Sequence, residues 1–462
     1  MFAIFKKFMP LTSKNPYNEQ IIETFPEHTE AEIQDALKRS GEAFKTWRKT
    51  SFLERAKILN KLADLFERDK GLLAELITLE MGRPISFSPG EIEKCAWCMR
   101  FYAENGEKFL APEEIKTDGS ESFIRYEPIG PVLAIMPWNF PFWQVIRFLA
   151  PALMAGNTAI LKHASNVPQC AMALEKLLRE AGLPFGVFEN LKVSGERVLE
   201  AIDSDIVRAV TITGSEKAGR AVASRAGANI KKIVLELGGS DPFIVCADAD
   251  LEKIIPHAVS ARLQNAGQTC IAAKRFLVHE SLHKDFLEKL KDEFLKTKMG
   301  DPMDKSTKLG PLATGSIRDE IARLVDEAEF LGAKIIAGGV LPQGKGYFYP
   351  PTILTQITKD MAIYHEETFG PVAIVMPFKT FEEAVSIAND TRFGLGASVW
   401  TEDKDLAEKF LRSIESGCVF INHIVKSDPR LPFGGTKSSG FGRELSALGI
   451  REFTNIKTVY FA

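Results

Sequence analysis

Residues 131–162, "PVLAIMPWNFPFWQVIRFLAPALMAGNTAILK", decide how the rest of the chain is read. "PVLAIMP" is an apolar run bounded by prolines. "PFWQVIRFLAPALMAG" carries apolar residues at helical spacing and closes on glycine, and "NTAILK" is a second short apolar run. A strand buried on both faces, a crossover helix and another such strand make a parallel β-α-β unit. The alternation continues with a helix in "VPQCAMALEKLLREAG", a strand in "DIVRAVTIT", a helix in "SEKAGRAVASRAGA" and a strand in "KKIVLELGG". A second series runs from "DPFIVCADAD" to "GCVFIN" near residue 421, with helices expected over 251–265, 281–297, 316–332, 381–389 and 403–415. The fold class is therefore α/β, with two parallel-sheet lobes in succession.

Upstream, "TEAEIQDALKRSGEAFKTWRK" and "SFLERAKILNKLADLFERDKGLLAELITLEMG" place apolar residues at i, i+3, i+4 and i+7, so residues 29–110 read as helices. "SFIRYEPIG" reads as a strand broken by a turn. The β-prone tail "FTNIKTVYFA" is expected to pair with it, in this or another subunit. "GKGYFYPPTIL" reads as a loop leading into an edge strand.

The 462 residues carry a formal net charge of −3, with acids and bases interspersed and no basic tract to grip nucleic acid. No apolar run is long enough to span a membrane, and the short apolar N-terminus is followed by no small-residue cleavage site. A cytoplasmic address is the expectation. Six irregularly spaced cysteines argue against a disulfide framework. Cys95 and Cys98 form a CxxC, yet "EIEKCAWCMRFYAEN" reads as one amphipathic helix, and no metal-ligand spacing occurs. Cys170, Cys246 and Cys418 sit in apolar segments and read as core, and His163 as capping or exposed.

Chemistry concentrates where strands end, which is where open α/β sheets present ligand-binding groups. Asn139 follows the 131–136 strand and precedes a helix starting near Pro141. Its amide suits either an oxyanion donor or a helix N-cap. Trp143 and Arg147 share one helix face, an aromatic–guanidinium pair suited to an anionic substrate; a snorkelling surface arginine is the plainer reading. Lys162 and Ser165 in "LKHASN" suit a ribose or phosphate, and a solvated lysine equally. In "TITGSEKAG", Gly214 and Ser215 open a helix whose N–H groups fit a phosphate or are simply capped. Glu236 ends an otherwise apolar strand, which suggests either proton handling or a buried salt bridge. Cys270, in "QNAGQTCIAAKRF", has small and polar neighbours, unlike the apolar surroundings of a packing thiol.

Together, "PWNFP", "LELGG", "GQTC", "EETFGPV" and "PFGGTKSSGFGRE" resemble the aldehyde dehydrogenase superfamily, in its order and at its distances over essentially the whole chain. "IMPWNFPFWQVIR", "LKHASN" and "SGFGRELS" are most similar to its bacterial succinate semialdehyde members. The resemblance implies Cys270 as nucleophile, reactive as its thiolate, Glu236 as general base, and Asn139 with the Cys270 N–H as oxyanion donors. It implies cofactor contacts from Trp138, Lys162, Ser165, Gly214, Ser215, Gly219, Glu367 and Phe369, and a carboxylate pocket from Trp143, Arg147 and Ser427. No metal is implied. Keeping Glu236 favours hydrolysis over transfer to coenzyme A. Where many NAD-preferring relatives place a glutamate, Ser165 removes a charge that would repel a 2′-phosphate, so NADP is expected to be accepted and preferred, with NAD as the other cofactor.

The implied organisation is a dinucleotide-binding domain over 1–118 and 137–237 and a catalytic domain over 238–427. An oligomerisation arm over 119–136 and 446–462 completes it, with 428–445 returning to the first domain. A homodimer or dimer of dimers is implied. A different aldehyde, a catalytically silent protein of this fold, and a Cys/Glu hydrolase without a dinucleotide are the competing readings.

Overall fold

The structure, a computed structural model, describes residues 10–462. The N-terminal apolar run lies in 1–9, outside the described residues. The first lobe is built on five parallel strands: β1 (Pro131–Met136), β2 (Thr158–His163), β3 (Phe188–Asn190), β4 (Ala209–Thr213) and β5 (Lys232–Glu236). Their spatial order is β3-β2-β1-β4-β5, with Gly440–Phe441 antiparallel on the free edge of β5. The chain leaves β1 in one direction and returns to β4 on its other side. The ends of β1 and β4 therefore flank a topological switch point.

The apolar run of β1 is explained by burial on both faces. Val132, Ala134 and Met136 join the core that holds Leu59, Leu62 and Phe66, while Leu133 joins the core on the opposite face with Ile33 and Leu37. The helices Glu30–Trp47 and Phe52–Arg68 each open on a capping box, Thr29 with Glu32 and Ser51 with Glu54. The Trp143–Ala155 helix is buried along its whole length, and its only polar side chains are Gln144 and Arg147.

The second lobe has seven strands: β6 (Asp241–Val245), β7 (Ala273–His279), β8 (Lys334–Ala337), β9 (Thr352–Thr355), β10 (Val372–Phe378), β11 (Gly396–Trp400) and β12 (Cys418–Ile421). They lie in the order β8-β9-β10-β7-β6-β11-β12, and β8 alone is antiparallel. The five expected helices are present, each within about two residues of its expected ends. β9, expected at the edge after "GKGYFYPP", is one strand in, because β8 covers it.

Glu121–Pro128 pairs antiparallel with Thr454–Phe461 of the same chain. The arm's expected boundaries need correction. Residues 131–136 are β1, hydrogen-bonded to β2 and β4 at the centre of the first sheet. Residues 446–453 also pack on the first lobe, where Ile450 and Phe453 are buried and the Phe453 ring meets Phe148 edge-on at 5.7 Å. The sheet outside the two lobes is thus three-stranded, with Glu113–Glu114, Glu121–Pro128 and Thr454–Phe461. Cys95 and Cys98 are fully buried in a core helix, as are Cys170 and Cys246 in their segments, while Cys418 is half-buried.

Candidate active site

Cys270 follows a turn that few sequences adopt. Asn265 and Ala266 both take left-handed backbone angles, φ 55° and 53°, which costs an alanine roughly 1 kcal/mol. The surroundings hold it there. Arg83 Nε donates to Asn265 Oδ1 (3.0 Å), Asn265 Nδ2 donates to the Asn139 carbonyl (2.9 Å), and Gln268 Oε1 accepts from the Ala313 N–H (2.9 Å). Gly267 is required, since a Cβ there would lie 2.2 Å from the Gly370 carbonyl oxygen.

So held, Cys270 lines a cavity of about 670 Å³. Among the described residues its N–H has no acceptor, while its carbonyl accepts from the buried Lys274 Nζ (2.6 Å). Lys274 also lies 3.5 Å from Glu367 Oε1. Burial pushes the Cys270 thiol up to about 12, against the pull of Arg147 and Lys274. The resting sulfur therefore keeps its proton at neutral pH. The thiolate expected from sequence has to be produced during attack.

Asn139 is buried beside this loop, and one of the two hydrogens on its Nδ2 reaches the Gln268 carbonyl (3.1 Å). The second remains available. Asn139 does not cap the helix, which starts at Trp143, two residues later than expected. There, Glu91 Oε1 accepts the N–H groups of Phe142 (2.7 Å) and Trp143 (2.9 Å). Glu91 is itself ion-paired with the buried Arg83.

Glu236 ends β5, almost wholly buried. It makes no ion pair among the described residues, and its Oε1 has no hydrogen-bond partner. This sets aside the salt-bridged reading. Burial pushes its carboxyl well above the usual carboxylate range; Arg147 opposes that shift and Glu444 adds to it. Arg147 is buried and ion-paired with Glu444, its Nη2 reaches Thr213 Oγ1 (3.2 Å), and its guanidinium lies 5.0 Å from the Phe433 ring centre. The exposed-arginine reading fails. Arg147, expected to meet a substrate's far carboxylate, lines the cavity that Cys270 lines and is ion-paired with Glu444.

The residues expected to hold a dinucleotide include several at the ends of β2 and β4. Lys162 ends β2, nearly buried, and its ammonium has no hydrogen-bond or ion-pair partner among the described residues; burial brings it down to about 8. Ser165 follows in a half-buried turn. Gly214 and Ser215 connect β4 to the Glu216–Ala228 helix, which Ser215 caps through the Ala218 N–H. An unpaired cation and a helix N-terminus at the ends of β2 and β4 fit a phosphorylated dinucleotide. Trp138 and Phe369 meet edge-on at 5.7 Å, and Glu367 Oε1 accepts from the Gly239 N–H (3.0 Å). Gly219, expected to contact the cofactor, lies on the first turn of the Glu216–Ala228 helix. A Cβ there would lie 2.5 Å from the Leu237 side chain, so the helix start packs closely on the segment after β5. His163 is buried, its Nε2 facing the Pro141 carbonyl (2.8 Å) and its Nδ1 accepting from the Ala164 N–H (2.8 Å). Among the described residues no group of three or more His, Cys, Asp or Glu is placed to hold a metal.

Trp143, Arg147 and Ser427 all line the cavity, together with Lys94, Lys308 and Lys426. Its one acidic lining residue, Glu91, is paired with Arg83. Sequence reasoning missed Lys94 and Glu444. Lys94 was readable, since it stands three residues after Glu91 and four before Cys98, on the face its helix buries. Glu444 carried no comparable signal.

The sulfur-bearing loop, the amide and the buried carboxyl lie between two parallel-sheet lobes, and the chain belongs to the aldehyde dehydrogenase family. That family's model matches residues 6–459. The chain is 49% identical over 454 residues to a probable succinate-semialdehyde dehydrogenase [NADP(+)] of Synechocystis sp., covering 98% of this chain and 100% of the relative. It is 49% identical over 457 residues to succinate-semialdehyde dehydrogenase [NADP(+)] 1 of Mycobacterium tuberculosis, with 98% and 100% covered. Among solved structures, succinic semialdehyde dehydrogenase of Streptococcus pyogenes in complex with NADP+ superposes with a TM-score of 0.96 at 38% identity, covering 98% of this chain and 99% of that one.

Proposed function

We propose that the protein oxidises succinate semialdehyde to succinate with NADP, and less readily with NAD, through a covalent intermediate on Cys270. The observation that carries this is the placement of Cys270 at a cavity whose lining is cationic, beside Asn139 and in the field of Glu236. The names and identities of the relatives support the substrate and the cofactor.

In this reading the Cys270 sulfur bonds to the aldehyde carbon as the carbonyl π pair moves onto oxygen. The second Nδ2 hydrogen of Asn139 and the free Cys270 N–H donate to that oxygen. The proton leaving the thiol passes to the Glu236 carboxylate, whose raised affinity for protons makes it the stronger base once ionised. A bound nicotinamide dinucleotide supplies the acceptor for the hydride that this carbon gives up. Trp138, Lys162, Ser165, Gly214, Ser215, Glu367 and Phe369 would hold the dinucleotide. Glu236 gives the thiol's proton up to solvent, and its carboxylate then takes a proton from water as that water attacks the thioester; this second proton goes back to the departing sulfur. The acid leaves and the sulfur regains its proton, with no need of coenzyme A.

A second reading, a longer ω-carboxy aldehyde such as a glutarate or medium-chain semialdehyde, is favoured by the cavity's size, ample for more than a four-carbon acid. The exposed Ile456, Tyr460 and Phe461 on the terminal strand support a homodimer or dimer of dimers built through the arm. We place the enzyme in the cytoplasm. Initial rates over a panel of aldehydes with each cofactor, followed at 340 nm, test the assignment. The highest kcat/KM is expected for succinate semialdehyde with NADP, and preference for an uncharged aldehyde would refute it.

A further inference from the structure

We propose that Lys274 is a positioning residue for the oxyanion site: it pins and polarises the peptide group whose N–H is the Cys270 donor. The inference rests on the Cys270 chemistry proposed above and adds the group that readies its backbone. Lys274 projects from β7 and is fully buried, and its Nζ donates to the Thr269 carbonyl (3.1 Å) and the Cys270 carbonyl (2.6 Å). The Thr269 carbonyl and the Cys270 N–H belong to one trans peptide, so they point in opposite directions. Holding the oxygen therefore turns the hydrogen away from Lys274. Thr269, Cys270 and Ile271 line the cavity, Lys274 stands behind them, and the Cys270 N–H meets no acceptor among the described residues.

The charge does more than the geometry. Thr269 O also accepts the Ala272 N–H (3.0 Å), a neutral contact that closes the turn. An ammonium on the same oxygen draws electron density toward itself and makes the N–H at the other end of the peptide a stronger donor. Neighbouring carbonyls go to a different cation, since Arg262 holds those of Gly267 (2.8 Å) and Ala273 (3.0 Å). Burial lowers the proton affinity of Lys274, and Glu367, 3.5 Å away, and the buried Asp241 oppose that loss of charge. A lysine that served those two carboxyls alone would not need to reach both carbonyls of the nucleophile.

The test compares two reactions of one sulfur in the full-length protein without cofactor, each net of a Cys270→Ala background. p-Nitrophenyl acetate acylates the thiolate through a tetrahedral oxyanion and releases p-nitrophenoxide, whereas iodoacetamide alkylates it with no oxyanion. The ratio of the two second-order rates at one pH cancels the ionised fraction of the thiol. Lys274→Met is expected to lower that ratio about tenfold, less than the 10²–10³-fold typical of losing a donor outright. An unchanged ratio overturns the proposal and leaves Lys274 as the counter-ion of Glu367 and Asp241. Alkylation without acylation in the wild type overturns it too. Should Lys274→Met not fold, Lys274→Met combined with Asp241→Ser is measured against Asp241→Ser alone and read in the same way. Reduction of NADP with succinate semialdehyde tests the dehydrogenase reading separately, because the ratio uses neither compound.

Discussion

Arg147 and Glu444 form a buried ion pair, and Glu236 lies in the field of both. Three charged groups with two carboxyls and one guanidinium cannot all be satisfied, which helps keep the Glu236 carboxyl high. Glu444→Gln removes the repelling charge and leaves Arg147 to act on Glu236 alone. The Glu236 carboxyl then falls, and the acid limb of the pH–kcat profile moves to lower pH by about one unit. Arg147→Gln acts in the opposite sense. It strands Glu444, moves the limb to higher pH, and costs roughly 3–5 kcal/mol of stability. An acid limb that stays in place in Glu444→Gln would show that Glu236 is governed by burial alone.

The protonated state of Cys270 predicts an unusual reactivity profile for the enzyme without cofactor. A free cysteine alkylates faster with rising pH until it levels off above roughly 8.5. With its thiol pushed up to about 12, Cys270 should react with iodoacetamide at a rate rising close to tenfold per pH unit through pH 10, without levelling. The measurement is the second-order inactivation rate against pH. A plateau near pH 8 would mean the sulfur is ionised at rest.

The parts of this architecture that were legible in sequence are those a local pattern encodes. β1, β2, β4 and β5 read as apolar runs because parallel strands are buried on both faces. Cys270, Asn139 and Glu236 stand out in sequence as reactive or polar residues at a strand end or turn, while the roles expected of them came from the motifs they share with the family. The placement of 131–136 in the arm failed because flanking prolines mark the ends of a strand without saying which sheet it joins. The fate of Arg147 was not legible either, since its partner Glu444 arrives from a distant segment and only the folded chain brings them together.

Ser165 gives a cofactor prediction that depends on one charge. It stands half-buried, three residues after the unpaired Lys162, so a 2′-phosphate near them meets a cation and a hydroxyl. Ser165→Glu places a carboxylate there, and like charges about 4 Å apart repel by up to about 4 kcal/mol under a surface-like dielectric. The ratio of kcat/KM for NADP over NAD should therefore fall at least about tenfold, mostly through the KM for NADP. Kinetics with both cofactors showing an unchanged ratio would remove Ser165 from the cofactor site.

Asn139 yields the prediction that most directly separates positioning from chemistry. Its Nδ2 spends one hydrogen on the Gln268 carbonyl, which secures the Cys270 loop, and keeps the other for charge that appears only as the sulfur attacks. Asn139→Ala loses both, so activity alone would not distinguish them. Removal of one oxyanion donor typically lowers kcat about 10²–10³-fold, with little change in KM because the ground-state aldehyde makes less use of it. Loosening the loop would act differently, because Arg83, Asn265 and Ala313 hold it from other sides and the sulfur would gain water. Its thiol would then drop from about 12 and alkylate faster at pH 8. The expected outcome for Asn139→Ala is a loss of kcat at an iodoacetamide rate within about threefold of wild type. Faster alkylation alongside the lost turnover would instead make Asn139 a positioning residue for Cys270.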